Sequence, residues 1–244
     1  MSTHTSSPSS HRDDVARVVV FGARGRMGQA LVAALAAHAR ATLASAVDRG
    51  DPTPASGDLV IDFSSDEGAK SALAASERLS APLLVGTTAL AGDTLRAIHD
   101  ASRRRPMMVA SNASLGVAVM HRLVATAIRA LGPGWRAELF ETHHVHKKDS
   151  PSGTALAIAE TIVAAGGVID RGDIRSTRQG DVVGRHKVAL HGPGERIVIE
   201  HEAEDRALFA RGALELGLWL RTRPAGMHTV QAWLDERLHE RGSA

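Results

Sequence analysis

The sequence contains no cysteine and no tyrosine, and aromatic residues make up only 3% of it. The absence of cysteine excludes disulfide bonds and thiolate metal sites, and it fits a reducing compartment, so we expect a cytoplasmic protein. With so few aromatic side chains and a formal net charge of only +2, neither base stacking nor a strongly basic face is expected. The composition therefore argues against a nucleic-acid partner.

Long hydrophobic runs are also missing. No apolar stretch approaches the ~20 residues that a membrane helix needs, so we expect no membrane partner. Residues 1–16 are polar and rich in serine, and they lack the apolar core of a secretory signal peptide. We expect them to form a disordered tail without a catalytic role.

From Arg17 onward, short apolar runs alternate with longer amphipathic segments. This alternation predicts an α/β protein with a doubly wound, Rossmann-type parallel sheet over residues 17–114, completed by C-terminal helices within 209–244. Residues 115–208 follow a different pattern, in which two consecutive strand-like segments are joined through 191–194. A hairpin there predicts a smaller α+β domain with a mixed or antiparallel sheet.

A glycine motif follows the first predicted strand, Val18–Phe21. It reads GARGRMG over residues 22–28 and opens directly into a predicted helix. The first glycine permits a tight turn, the second lets a pyrophosphate approach the backbone, and the third allows close packing of helix and strand. A purely structural turn is the alternative interpretation. We expect dinucleotide binding by Gly22, Arg24, Gly25, Arg26, Met27 and Gly28.

The second predicted strand ends at Asp48, about 20 residues beyond the glycine turn, where a ribose ligand is expected. A carboxylate there favours the free 2′-hydroxyl of NADH, while the adjacent Arg49 can bind the 2′-phosphate of NADPH. We predict that both cofactors are used, although the two residues could equally form a solvated loop. Further loops at the carboxyl ends of strands predict cofactor contacts at Gly86, Thr87, Thr88, Ala110, Ser111, Asn112 and Ala113.

The segment 141–156 reads ETHHVHKKDSPSGTAL and contains two of the four lysines of the chain. Imidazoles donate protons near neutral pH, and ammonium groups hold anions. The residues Ser152, Gly153 and Thr154 precede an apolar run and predict a helix N-terminus, which also attracts anions. The segment therefore predicts an active site for an acidic substrate. A zinc site at His143, His144 and His146 is an alternative, disfavoured because a cationic Lys147 lies beside them.

Several motifs in this order resemble the 4-hydroxy-tetrahydrodipicolinate reductase (dihydrodipicolinate reductase) family. They are GARGRMG at 22–28, VIDFS at 60–64, VGTT at 85–88, HHVHKKDSPSGTAL at 143–156 and HEAEDRALFARGAL at 201–214. The block at 143–156 is the specific one. The resemblance implies reduction of a small cyclic dicarboxylate by NADH or NADPH in lysine and diaminopimelate biosynthesis.

The resemblance also implies roles for individual residues. His143 matches the proton donor, Lys147 matches a catalytic or substrate-holding lysine, and His144, Gly153 and Thr154 match positions that bind the substrate's carboxylates. It further implies a homotetramer assembled through the sheet of the second domain. Ala113 stands where the family commonly has an aromatic residue, which predicts an altered cofactor affinity.

Two other functions stay open from the residues alone. One is a different dehydrogenase on the same scaffold, although a semialdehyde dehydrogenase in its usual form would need a nucleophilic cysteine. The other is a dinucleotide-sensing module without turnover. Reduction of the cyclic substrate distinguishes these from the reductase.

Overall fold

The computed structural model describes residues 15–242. The strands are β1 (Ala16–Phe21), β2 (Ala41–Val47), β3 (Leu59–Asp62), β4 (Leu83–Val85), β5 (Pro106–Val109), β6 (Arg136–His143), β7 (Ile174–Arg178), β8 (Gly184–Gly192), β9 (Glu195–Ala203) and β10 (Gly226–His228). The helices are α1 (Arg26–Ala36), α2 (Asp66–Leu79), α3 (Gly92–Ser102), α4 (Leu115–Leu131), α5 (Gly153–Ala164), α6 (Ala207–Leu220) and α7 (Val230–Gly242), with a short 3₁₀ helix at Arg171–Asp173.

Most of the predicted tail, residues 1–14, lies outside the described residues. Its last residue, Ala16, is the first residue of β1 and is fully buried, so the folded chain begins one residue earlier than predicted.

Six strands form a parallel sheet in the order β10-β5-β4-β3-β1-β2. Every residue of β3 and β4 is buried, as expected for central parallel strands that helices cover on both faces. The predicted doubly wound sheet is therefore confirmed. The edge strand β10 was not predicted, because three residues that include a glycine carry no strand pattern.

The second sheet is mixed, in the order β7-β6-β8-β9. Strands β8 and β9 form the predicted hairpin, with Gly192 opposite Glu195 and only Pro193 and Gly194 between them. Proline followed by glycine at φ +80° fits a type II turn. Strand β7, which pairs with β6 in parallel, was not predicted, because its sequence IRSTR has one apolar residue.

Burial along β6 alternates with a period of two. The alternation places Ala137 and Leu139 on the buried face, and it continues through Glu141 and His143 at the end of the strand. The apolar part of this face packs with α4 and α5 in one core cluster. The strand therefore carries a carboxylate and an imidazole inward, beside a hydrophobic core.

The chain divides into two compact units, one comprising residues up to Ser111 and Ala213–His228, the other Asn112–Gly212 and the segment from Thr229. The boundary falls inside α6, with residues 207–212 in the second unit and residues 213–220 in the first. Helix α7 lies in the second unit and not, as predicted, in the first. The Gln231 side chain donates to the Ala118 carbonyl, and Arg122 pairs with Asp235 at 2.9 Å, so α7 is bound to α4.

Among the described residues, none of the helices has the length and apolar character to cross a membrane.

Candidate functional site

The glycine turn between β1 and α1 has steric reasons for its glycines. Gly22 adopts φ +74°, and a Cβ there would lie 2.3 Å from the Phe63 carbonyl oxygen. A Cβ on Gly28 would lie 2.1 Å from the Gly22 carbonyl oxygen, where the first turn of α1 packs against the loop. Side chains are therefore excluded at both positions, as predicted for a turn that brings backbone close to a ligand.

The N-terminus of α1 fits a pyrophosphate. Gly25 at the N-cap provides no side-chain hydrogen bond, and no acidic residue lies in the first turn. The free N–H groups of Arg26, Met27 and Gly28 therefore have no protein anion competing for them, and the helix dipole favours a negative group there. These residues can hold the phosphates of a dinucleotide.

Asp48 lies beside this turn, as predicted for a ribose ligand. Its carboxylate accepts the Arg24 N–H at 3.0 Å, and Asp51, which was not predicted, accepts the Asp48 N–H at 2.9 Å. The Arg24 guanidinium lies 3.2 Å from Asp51 and 3.7 Å from Asp48. Arg49 is exposed. The predicted acidic position is therefore part of a small charge network that includes Arg24.

A buried polar cluster joins the end of β3 to the loop after β4. Thr87 was predicted as a cofactor contact, but its bond to Asp62 was not predicted. Asp62, at the end of β3, is fully buried and accepts the Thr87 hydroxyl at 2.6 Å and the Ser64 hydroxyl. Burial raises the pKa of Asp62, and the hydrogen bonds from Ser64 and Thr87 oppose this. The Thr87 hydroxyl is thus committed to the protein, whereas Thr88 is exposed.

The segment after β5 falls across the boundary between the units, with Ala110 and Ser111 in the first and Asn112 and Ala113 in the second. Within the second unit, the Asn112 amide donates to the Thr154 hydroxyl at 2.9 Å. A residue predicted to contact the cofactor is therefore bonded to one predicted to bind the substrate.

The buried end of β6 forms the centre of the second unit's polar cluster. Nδ1 of His143 lies 2.7 Å from Oε2 of Glu141, and the Glu141 side chain is completely buried. The two atoms are close enough for an ion pair, but they are not aligned as a hydrogen bond. The contact is therefore mainly electrostatic.

The other carboxylate oxygen of Glu141 is fully engaged. Oε1 accepts the Ser152 N–H at 3.2 Å and both terminal nitrogens of Arg178 at 3.1 Å. Burial alone would raise the pKa of Glu141, but the contacts with His143, Ser176, Ser152 and Arg178 together lower it well below its usual range. Glu141 is therefore a buried carboxylate that stays ionised.

Helix α5 begins beside this carboxylate. The Ser152 hydroxyl caps the helix by accepting the Ala155 N–H at 3.1 Å, while the Gly153 backbone is exposed. An exposed helix N-terminus next to cationic groups is suited to bind an anion.

Lys147 lies near the same helix end. Its ammonium contacts the Asp149 carboxylate at 2.9 Å, and its neighbour Lys148 is exposed. Burial acts to raise the pKa of Asp149, but the Lys147 ammonium and the backbone N–H groups of Asp149 and Gly153 lower it. A carboxylate therefore already lies between the two groups that were predicted to hold a carboxylate of the substrate.

His144 and His146 follow the end of β6, with ring centroids 6.2 Å apart. Desolvation lowers the pKa of His144, and the nearby charges of Arg206, His146, His143 and Lys147 lower it further. Its imidazole therefore favours the neutral form and can donate or accept a hydrogen bond.

His186 on β8 is a buried imidazole that sequence reasoning missed. Its ring meets that of His143 edge-on at 5.1 Å, and its Nε2 lies 3.3 Å from the Ser152 hydroxyl. Desolvation, and then the charge of His143, lowers the pKa of His186 to about 4, although Glu141 acts in the opposite direction. The ring is therefore neutral at neutral pH.

Donor atoms of Glu141, His143 and His186 lie within 4.8 Å of one another, which is close enough for a metal site. However, the Arg178 guanidinium already neutralises Glu141, and Lys147 adds a further positive charge nearby. These charges oppose a cation. The cluster is therefore better explained as a carboxylate that orients an imidazole than as a zinc centre.

The residues missed in this unit are Glu141, Arg178 and His186, whereas Ser152 caps the helix that was predicted to begin there. The period-two pattern of β6 was a usable signal, since it places Glu141 on the same face as His143. Arg178 and His186 had no such signal, because they come from strands 37 and 45 residues later in the chain, with Arg178 paired to His143 and His186 paired to Glu141.

The depressed pKa of His186 makes the protein less stable in acid. The folded state disfavours protonation until about pH 4, whereas the unfolded chain binds the proton near the ordinary value of 6.5. This stabilisation is complete above pH 6.5 and is lost as the pH falls towards 4, by up to about 3 kcal/mol. His186→Gln removes this titration, so its melting temperature should fall less than that of the wild type over the same window.

The control for this experiment is His191→Gln, because His191 lies on the same strand but is partly exposed. Differential scanning calorimetry across the window should show the wild-type acid loss in His191→Gln. An equal loss in His186→Gln would contradict the assignment.

Comparison with known proteins agrees with both units. Residues 16–113 match the family model described as the N-terminus of dihydrodipicolinate reductase, and residues 116–234 match the model of its C-terminus. The chain is similar to the 4-hydroxy-tetrahydrodipicolinate reductase of Campylobacter jejuni, with 34% identity over 89% of this chain and 98% of that protein. The corresponding protein of Xanthomonas euvesicatoria is 38% identical, over 88% of this chain and 96% of its own length.

A solved structure shares the fold. The dipicolinate-bound dihydrodipicolinate reductase from Paenisporosarcina sp. TG-14 aligns with a TM-score of 0.75 and 20% identity, over 88% of this chain and 97% of that one. The resemblance found in the sequence motifs is thereby confirmed. The chain belongs to the dihydrodipicolinate reductase family.

Proposed function

We propose that this protein reduces 4-hydroxy-tetrahydrodipicolinate to tetrahydrodipicolinate with NADH or NADPH, in lysine and diaminopimelate biosynthesis. The observation that carries the proposal is His143 beside the buried carboxylate of Glu141, which also binds the start of α5. A potential proton donor and an anion-binding helix end are thus held by one group. Membership in the family supplies the reaction.

The first unit binds the cofactor, which supplies the hydride when bound. Gly22, Gly25 and Gly28 give the phosphates access to the backbone, and Asp48 lies where the adenosine ribose is expected. Arg49 is free in this structure to meet a 2′-phosphate, since it is exposed. We also propose contacts from other residues of this unit, namely Arg24, Arg26, Met27, Gly86, Thr87, Thr88, Ala110 and Ser111. Asn112 and Ala113, the next residues in the chain, belong to the second unit and remain proposed contacts.

The substrate's carboxylates bind in the second unit. The N–H groups of Gly153 and Thr154, the ammonium of Lys147 and the imidazole of His144 are the donors for them. Asp149 would yield its place to an incoming carboxylate. Asp149 is exposed, so its carboxylate can move into water when the substrate's carboxylate takes over the contact with the partly covered Lys147.

His143 donates the proton. Loss of water from the 4-hydroxy compound gives the conjugated ring. Hydride addition to that ring leaves electron density on it, and this needs a proton within hydrogen-bond reach. The negative charge of Glu141 attracts the proton-bearing ring, and Lys147 stabilises the negative charge that develops on the substrate. In this proposal the His143 imidazole supplies the proton, and the Lys147 ammonium stabilises the negative charge on the substrate.

The cytoplasmic location and the homotetramer remain part of this proposal. Exposed Ile197 and Val198 on the outer strand β9 of the second sheet support assembly through that sheet.

The reaction is tested by absorbance at the reduced nicotinamide band. Substrate is generated in place from pyruvate and aspartate semialdehyde by a coupling synthase, and NADH and NADPH are tried separately. We expect oxidation that depends on both this protein and the synthase, with the two cofactors used within about 100-fold of each other, or about 2.7 kcal/mol. Folded protein that binds a cofactor without oxidising it would refute the reductase and favour a sensor.

Lys147→Ala should lower turnover by about 10²-fold, because the developing negative charge loses its cation. Binding of NADH, measured by fluorescence, should be unchanged, since Lys147 lies in the other unit. Lys148→Ala is the matched control, because Lys148 is the exposed neighbour, and it should keep near-normal turnover. Near-normal turnover in Lys147→Ala would show that the role assigned to Lys147 is wrong.

A further inference from the structure

We propose that Glu141 is the positioning residue of this active site, fixing the tautomer of His143 and the places of the substrate-binding groups around it. The inference rests on the proposed function, in which His143 donates the proton. Glu141 itself touches neither substrate nor cofactor in this account. It acts through the groups that it binds.

The first of these groups is His143. Although Oε2 and Nδ1 are not aligned as a hydrogen bond, the negative charge of Oε2 at 2.7 Å favours an N–H over a lone pair on Nδ1. This leaves Nε2 as the atom that exchanges a proton with the substrate. Gly184, the cross-strand neighbour at the start of β8, keeps this nitrogen accessible. A Cβ at position 184 would lie 3.1 Å from Nε2.

The second group is the N-terminus of α5. The Ser152 N–H donates to Oε1 of Glu141, and the Ser152 hydroxyl caps the helix. The N–H groups of Gly153, which now faces Asp149, and of Thr154 follow directly. Glu141 therefore sets the distance between the proton donor and the groups that bind a carboxylate of the substrate.

The third group is the loop that carries Lys147. Arg178 binds Glu141 with both terminal nitrogens, and it also donates to the backbone carbonyls of Lys147, at 3.2 Å, and of Asp149. The guanidinium thus connects the carboxylate to the loop. One buried charge holds the proton donor, the helix end and the lysine.

Glu141→Gln separates positioning from folding. A glutamine has the same shape, and its carbonyl oxygen can still accept from Ser152 and Arg178. Its amide then faces Nδ1 of His143 as a donor, which favours the tautomer with the proton on Nε2. Loss of the Glu141 charge leaves Arg178 without its charged partner and lowers stability, but the hydrogen bonds that glutamine keeps make this loss smaller than that of removing the side chain.

We expect Glu141→Gln to lower kcat by roughly 10²-fold, while KM for the substrate and for NADH stays within about threefold. Nitrogen-15 spectra of the imidazoles, assigned with a His143→Asn variant, should show the proton of neutral His143 moving from Nδ1 to Nε2. The melting temperature should fall, because Arg178 loses its charged partner, so kcat and KM are measured well below the transition of the variant.

Glu138→Gln is the matched control. Glu138 lies on the same strand, contacts His191 at 3.1 Å and pairs with Arg136, but it is remote from the site. It should keep wild-type kcat. Unchanged kcat and tautomer in Glu141→Gln, equal losses in both variants, or a common rise of both KM values would each overturn the proposal.

The tautomer is recorded on the free protein, so it tests Glu141 even if the wild type fails to reduce the cyclic dicarboxylate. Such a failure would refute the proposed function alone. If Glu141→Gln does not fold, Arg178→Lys serves instead, because lysine keeps the charge but loses the forked geometry. It should raise KM for the substrate and leave KM for NADH unchanged, and equal changes in both would overturn the proposal.

Discussion

The polar cluster of the second unit depends on one ion pair, between the completely buried carboxylate of Glu141 and the partly buried guanidinium of Arg178. A carboxylate without any solvent exposure is costly unless cations and hydrogen-bond donors surround it. Here the guanidinium, the Ser152 N–H and His143 meet that requirement. Because the Glu141 side chain is completely buried, its carboxylate cannot turn to water when a partner moves. The hydrogen bonds and ion pairs around Glu141 therefore depend on one another, and losing one of them weakens the others.

The two units offer different chemical groups to their proposed ligands. In the first, backbone geometry at Gly22 and Gly28 makes room for a ligand, and the helix start supplies neutral N–H donors. In the second, charged side chains form the proposed site. Lys147 and Asp149 make an ion pair there, and a carboxylate of the substrate would replace Asp149 in it. This difference suits the ligands. A pyrophosphate needs close approach, whereas a reacting ring needs a proton and a cation in defined places.

Local patterns in the sequence predicted much of this architecture. The glycine turn, Asp48 and the 143–154 segment were identified because each is a short motif with its own steric or chemical reason. The strands β7 and β10 were missed because they are short and have little apolar periodicity. The assignment of α7 was wrong because a helix pattern does not say which core the helix joins, and its contacts to α4 decide that.

The partners of Glu141 could not be predicted for a related reason. They meet only through sheet register, since Glu141 lies opposite His186 in β8 and Ser176 in β7, while Arg178 pairs with His143. A one-residue change in either register would turn these side chains to the other face. With β7 unpredicted, no pattern in the sequence could place Arg178 beside the carboxylate.

The most direct test of the account is a crystal structure of the protein with NADH and pyridine-2,6-dicarboxylate, a planar analogue of the substrate. The account predicts a carboxylate at hydrogen-bond distance, about 2.7–3.2 Å, from the N–H groups of Gly153 and Thr154. It also predicts Asp149 displaced from Lys147, and Nε2 of His143 directed at the ring. A dicarboxylate bound elsewhere, or an unchanged Lys147–Asp149 pair beneath it, would contradict the account.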